Sequence, residues 1–331
     1  MNEPRALPFV LTGPTGTGKT AIALELAERL GAAVLCADSR QVYRGLDVAT
    51  GKPTPAERAR VPHHGFDVLE PTERASAGGY ARAMRPVLET LARAETPALL
   101  VGGTGLYLRA LHAGLAEVPE IPADVRNGVR AKLEGGGPEA LHAELALLDP
   151  ELARRLQPRD GQRIARGLEV VLATGRPLSA WQAEDGEDPA PWFWVGLTRP
   201  RSELTEALAA RARGFFAAGL LDEVRGLRER GTPADAPAFD ALGYREANDV
   251  LDGRLAQDDA VSELVRHTVQ YAKRQMTWLR GEARRVELSF REIGVHESPG
   301  QVARELAARY EQALTTRGIP RTTGLSGRVS R

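Results

Sequence analysis

The chain is nearly free of cysteine. Among its 331 residues only Cys36 is one, so no internal disulfide forms and no zinc site built on cysteines is available. Lysine is almost as scarce: Lys19, Lys52, Lys132 and Lys273 stand against 40 arginines, so each lysine departs from the general bias. No apolar run approaches the ~20 residues that a bilayer requires, which excludes a transmembrane helix and predicts no membrane partner. The opening MNEPRALPFV lacks a basic start followed by a long apolar stretch. No signal peptide is therefore expected, and the expected compartment is the cytoplasm. Net charge is missing too, with 44 basic against 44 acidic side chains. A neutral chain that is 42% hydrophobic can collapse, which excludes disorder as its main state. The length allows roughly two domains.

Zero net charge does not exclude a nucleic-acid partner, because charge distribution decides that question. Here the distribution is uneven. Residues 154–166 (RRLQPRDGQRIAR) carry five arginines and one aspartate, and residues 263–285 carry six basic and two acidic side chains. The tail 312–331 has four arginines and no acid.

Residues 8–12, 32–37, 97–103 and 192–198 read as short buried strands. They alternate with helical segments after residue 20, over 76–95 and from Thr104, which argues for a parallel sheet covered on both faces. Between 113 and 190 the texture changes. Helices are expected near 123–134, 138–148, 150–156 and 160–173, with no convincing strand. Further helices are expected over about 201–230, 241–251, 258–280 and 299–315. The predicted organisation is a core of residues 1–112 and 191–316, an all-helical insertion over 113–190, and a disordered tail over 317–331.

The segment Gly13-Pro14-Thr15-Gly16-Thr17-Gly18-Lys19-Thr20 fits G-x-x-x-x-G-K-[ST], lying after a strand and opening a helix. Glycines let the backbone wrap an anion with its N–H groups, and the helix N-terminus adds a favourable partial charge. Lys19 would neutralise terminal phosphate charge, and the Thr20 hydroxyl can sit on Mg²⁺. A di- or triphosphate ligand follows, and the motif is of the ATP-binding type. Three readings remain open from these residues: an NTPase or switch, a small-molecule kinase, and an enzyme whose diphosphate is a leaving group. An NTPase usually ends a core strand in a metal-holding Asp, but 97–101 runs into Gly102-Gly103-Thr104. Asp38 does end a strand, as a base, a metal ligand or a turn residue.

Further segments stand beside the loop in order: Asp38-Ser39-Arg40-Gln41-Val42-Tyr43, Lys52-Pro53-Thr54, Pro62-His63-His64, Val101-Gly102-Gly103-Thr104-Gly105-Leu106-Tyr107, Gln162-Arg163, Leu168-Glu169-Val170, Gly243-Tyr244-Arg245, and Lys273-Arg274-Gln275-Met276-Thr277-Trp278-Leu279-Arg280. Together they resemble the bacterial tRNA dimethylallyltransferases (isopentenyltransferases) over about residues 8–285. The resemblance implies an α/β, P-loop NTPase-like parallel sheet with helices on both faces and an inserted helical domain. It implies transfer of a dimethylallyl group from dimethylallyl diphosphate to the exocyclic amine of the adenine just 3′ of the anticodon, in tRNAs reading codons that begin with U, with Mg²⁺ as cofactor. The family further implies a monomer.

By the same resemblance Asp38 is the base, Thr104 helps position the reacting centre, and Lys19 and Arg211 take diphosphate charge; Arg213 lies two residues on in the same Ala/Arg-rich stretch. RNA contacts would fall to Asp38, Ser39, Arg40 and Gln41, to Arg126 and Gln162-Arg163-Ile164-Ala165-Arg166 in the insertion, which would grip the anticodon stem-loop, and to Gly243-Tyr244-Arg245. Arg159, Arg163 and Arg166 fit a solvated helix face equally well on residues alone. Ala49-Thr50-Gly51-Lys52-Pro53 departs from the family's usual Gly-Thr-Ala-Lys-Pro, and 239–242 lacks a basic residue often present there, which puts a contact at Asp240 in doubt.

Overall fold

The computed structural model describes residues 7–116, 118–183, 189–294 and 296–319. Its elements in chain order are β1 (Phe9–Thr12), α1 (Lys19–Leu30), β2 (Ala33–Cys36), α2 (Pro55–Arg58), β3 (His63–His64), α3 (Ala77–Arg93), β4 (Ala98–Gly102) and α4 (Gly105–His112). Then come α5 (Ala123–Leu148), α6 (Pro150–Arg155), α7 (Gly161–Thr174), α8 (Leu178–Ala183), β5 (Phe193–Thr198), α9 (Arg201–Ala217), α10 (Leu220–Glu229), α11 (Tyr244–Leu251), α12 (Gln257–Glu282), β6 (Ser289–Glu292) and α13 (Pro299–Thr316). A 3-10 turn spans Pro237–Asp240. None of the described helices is long and apolar enough to cross a membrane.

The six strands form one parallel sheet in the order β3-β2-β4-β1-β5-β6, so the chain is an α/β protein. β1 lies in the interior, with Phe9 opposite Leu99 on one side and Phe193 on the other. Its residues FVLT are buried throughout, as parallel strands covered on both faces must be. Period-two alternation divides them between two cores. Val10, Leu35, Leu100 and Trp194 face one core, with α3, α4, α10 and α11 against it. Phe9, Leu11, Val34 and Val195 face the other, where α1 and α13 pack.

The described residues separate into two compact units, one up to His112 and again from Ala190, the other Ala113–Pro189. The second unit is built from α5–α8 around Val129, Leu141, Leu145, Leu152, Ile164 and Leu168. Gly167 is required there: a Cβ on it would come within 2.7 Å of Leu152 Cδ2 and 2.9 Å of Leu145 Cδ1. Buried Asp149 joins α6 to α8, its Oδ1 accepting from Leu152 N (3.0 Å) and Ser179 Oγ (2.6 Å) and its Oδ2 from Ser179 N (2.9 Å). In the sheet unit, His112 closes α4 with its Nε2 2.9 Å from the carbonyl of Ala190 and its ring 4.6 Å from that of Trp192.

The helices expected at 123–134 and 138–148 are both present within α5, divided by a kink where Gly137 takes the non-helical angles φ 76° and ψ 171°. Other expectations need correction. The segment 201–230 breaks at Gly219, which takes φ 90°. α8 and the edge strands β3 and β6 are not among the expected elements. Residues 317–319 are ordered: Ile319 N donates to Leu314 O at 3.0 Å and its side chain packs on the α1/α13 core. The remainder of the expected tail, 320–331, lies outside the described residues.

Candidate active site

Strand order places the chemistry. β1, β4 and β2 are adjacent and parallel, so their C-terminal ends deliver the phosphate loop, Thr104 and Asp38 to one edge of the sheet, where ligands of open α/β sheets bind. Gly102 permits this approach: a Cβ there would lie 2.0 Å from Ala37 O. The junction is completed by Ala37 N donating to Val101 O (2.8 Å) and Thr104 N to Ala37 O (3.2 Å).

The loop takes φ +148° at Gly13, +86° at Gly16 and +81° at Gly18, the last two being conformations that side-chain-bearing residues avoid. Thr17 is buried, its Oγ1 donating to Pro14 O at 2.9 Å. Lys19 folds back, donating to the carbonyls of Gly13 (2.8 Å) and Pro14 (2.7 Å). Burial lowers its pKa to about 8, the Asp38 carboxylate pulling it up and Arg211 pushing it down. Arg211, from α9, donates through Nη1 to Thr15 Oγ1 (3.1 Å) and through Nη2 to Thr50 O (3.4 Å). Burial also depresses its pKa, against the pull of Asp38. Arg213 is exposed, so Arg211 is the arginine at the loop. Gly51, at φ +63°, leaves room for it: a Cβ would come within 2.3 Å of Arg211 Nη2.

Asp38 accepts from Arg40 N at 2.9 Å through Oδ1; its Oδ2 has no hydrogen-bond partner among the described residues. Thr104 Oγ1 accepts from Ser39 N at 2.9 Å and donates to Ser39 Oγ at 3.3 Å. Two residues of α12, without a role in the sequence reading, complete the site. Tyr271 stands close to Thr104, and burial lifts its hydroxyl to about 12. Gln275 accepts from Thr15 N (2.9 Å) and donates to Gly103 O (3.0 Å), tying the phosphate loop to the β4 turn. The tie to Thr15 spans 260 residues, so no local pattern announces it; its one signal is its place in the quoted segment 273–280.

Two cavities meet here. One, of about 360 Å³, is floored by the phosphate loop, with Lys19, Thr20, Gln41 and Gln275 in its wall. The other, of about 570 Å³, takes Ser39, Arg40, Asp240, Arg245, Tyr271 and Arg274. Both include Thr15, Asp38, Thr50 and Arg211. The arrangement suits a phosphorylated ligand on one side, a second reactant on the other, and a carboxylate between them.

The residues expected to touch RNA fall in different places. Ser39, Arg40 and Arg245 line the larger cavity. Gln41 turns inward, its Nε2 donating to Thr50 O at 3.0 Å, and lines the smaller one. Tyr244 is fully buried; its hydroxyl donates to Glu223 Oε1 and accepts from Ala49 N at 3.3 Å. Gly243 is buried too, and a Cβ there would meet that of Ala49 at 2.5 Å. Both hold Arg245 rather than reach a ligand. In the helical unit Arg126, Gln162, Arg163 and Arg166 carry exposed or half-exposed side chains, and Ala165 is half-buried. Ile164 is fully enclosed in that unit's core, so its side chain is structural. The ion pairs Arg159–Glu139 (3.0 Å) and Arg163–Asp160 (3.5 Å) are exposed and contribute little to stability, leaving these arginines available to a polyanion.

A family model described as IPP transferase matches residues 41–282, and one described as isopentenyl transferase matches residues 8–62. The chain is 42% identical to the tRNA dimethylallyltransferase of Geobacter metallireducens, over 85% of this chain and 92% of that one. It is 43% identical to that of Syntrophobacter fumaroxidans, over 90% and 86%. Among solved structures, the tRNA isopentenylpyrophosphate transferase of Bacillus halodurans superposes with a TM-score of 0.66 at 30% identity, covering 96% of this chain and all of that one.

Proposed function

The chain belongs to the IPP transferase family, and from that footing we propose that it transfers a dimethylallyl group from dimethylallyl diphosphate to the exocyclic amine of the adenine 3′-adjacent to the anticodon, in tRNAs reading codons that begin with U. The observation that carries this reading is the meeting of the two cavities at Asp38. The smaller one takes the diphosphate. The larger one takes the adenine, which must leave its stack to enter. The amine nitrogen attacks the allylic carbon, a C–N bond forms, the C–O bond to diphosphate breaks, and an amine proton passes to Asp38 Oδ2. Thr104, held by Ser39, orients the centre. The loop amides, Lys19 and Arg211 receive the charge on the leaving oxygens. Arg40 and Arg245 suit the flanking phosphates, which fix register.

Prenyl transferases generally use a divalent metal. The donor set fits Mg²⁺ held through the diphosphate: the Thr20 hydroxyl faces the smaller cavity and has no partner among the described residues. Among those residues no cluster of three His, Cys, Asp or Glu could hold an ion alone, and Mg²⁺ is commonly bound through few protein oxygens plus phosphate and water. When bound, the ion adds charge neutralisation at the departing diphosphate. The helical unit grips the anticodon stem-loop through Arg126, Gln162, Arg163 and Arg166. The protein acts as a monomer in the cytoplasm.

The test is label transfer from dimethylallyl diphosphate, with Mg²⁺, to an unmodified tRNA and to the same tRNA with guanine in place of the target adenine. Label on the adenine tRNA alone is expected. No label on either, with ATP turned over on a small acceptor, would make this a kinase and overturn the reading.

A further inference from the structure

A third cavity, of about 510 Å³, uses a different face of α12 from the acceptor cavity: Lys273, Met276, Thr277 and Arg280, at helical spacing. The turn from β5 into α9 adds Arg199 and Arg201. These four cations, Arg199, Arg201, Lys273 and Arg280, have no side-chain hydrogen bond or ion pair with any described residue. Some surface arginines elsewhere are paired, Arg60 with Glu25 and Glu28 and Arg291 with Glu297 and Glu305. Glu292 is the carboxylate in the lining, so three positive charges stay unbalanced there. Arg199 Nε is enclosed with no partner, an arrangement that costs free energy unless a ligand supplies an acceptor.

The backbone has the same polarity. Pro200, the N-cap of α9, offers no side-chain acceptor, so the first-turn N–H groups remain open to an anion, with Glu203 offsetting part of that field. Leu204, Val269 and Met276 give the cavity an apolar wall, and its volume is that of a small-molecule site.

We propose that this cavity, which abuts the phosphate loop at Pro14, binds a nucleotide phosphate in addition to whatever the loop's own cavity holds. The four cations hold phosphate oxygens and the apolar wall faces base or sugar. Two sources present that chemistry: a free nucleoside diphosphate, or a nucleotide of the acceptor RNA, the second resting on the function proposed above.

The test uses the full chain, wild type and carrying K273A with R280A. Labelled ADP is measured by equilibrium dialysis, and affinity for an unmodified tRNA transcript is measured across a NaCl series. For a free nucleotide, wild type binds two ADP per chain and the variant one. For an RNA nucleotide, the slope of log affinity against log salt becomes shallower by roughly 0.7 to 0.9 for each phosphate that the variant no longer neutralises. One ADP in both proteins together with equal salt slopes would overturn the proposal. R201Q, on α9, repeats the measurement if the double variant melts early. Two ADP sites in a chain that fails to prenylate tRNA would leave this cavity standing while the functional reading falls.

Discussion

Replacing Lys19 by methionine should make the ligand-free protein more stable. The ammonium is held against two loop carbonyls and its pKa falls from 10.5 to about 8. A lowered pKa for a cation means that the folded state binds fewer protons than the unfolded one between those values, so stability rises with pH across that window. Below it, at pH 7, a depression of this size costs about 3 kcal/mol at ~1.4 kcal/mol per pH unit. Lys19 keeps partial exposure, which reduces the figure to about 2 kcal/mol. Loss of the bonds to Gly13 O and Pro14 O offsets part of the gain, leaving about 1 kcal/mol. The assay is urea unfolding at pH 7 and pH 10, followed by tryptophan fluorescence. Lys19→Met should be the more stable protein at pH 7, and its advantage should shrink toward pH 10 as wild type sheds the proton. The same variant should lose most of its affinity for dimethylallyl diphosphate. A variant less stable than wild type at both pH values would refute the reasoning, since Lys19 would then be a stabilising group rather than one held ready for an anion.

Asp38→Asn should cut turnover by about 10²- to 10⁴-fold, the usual range for losing a general base, while gel-shift affinity for tRNA changes little; full activity would remove Asp38 from the mechanism. Gly51→Ala should mimic Arg211→Gln, because the added methyl occupies the place of Arg211 Nη2; both should raise KM for dimethylallyl diphosphate, and a KM rise in only one would break that link. Gln275→Ala should lower kcat with little change in tRNA affinity, since it frees the loop from the β4 turn; unchanged kcat would make the tie dispensable. Tyr244→Phe should cost about 1–3 kcal/mol in urea unfolding, by removing both the acceptor of Ala49 N and one of the donors to Glu223, which keeps those from Asp47 N and Val48 N; unchanged stability would show that neither bond contributes.

The phosphate loop is legible in the sequence because its chemistry is consecutive: eight residues between a buried strand and an amphipathic helix. The parallel sheet is legible where strands are apolar throughout, as in β1, β2, β4 and β5. β6 escapes because SFRE alternates half-buried and exposed residues at a sheet edge, and β3 because two residues carry no period. Arg211 and Arg213 are not separable by spacing, since two steps along a helix face opposite ways and only the packing of α9 chooses. Ile164 and Tyr244 sit inside segments expected to carry RNA contacts, yet their side chains serve the cores beneath. Gln275 and Tyr271 gain roles only where α12 is laid across the loop, an approach between residues far apart in the chain.

The His112–Ala190 contact gives the helical unit an evolutionary reading. Its two ends leave the sheet unit at a single latched point, within one crossover between β4 and β5, which both flank β1. Lengthening, shortening or exchanging what hangs from that latch leaves every strand pairing untouched. A lineage can therefore remodel one excursion of the chain while the sheet and the loop between β1 and α1 descend unchanged.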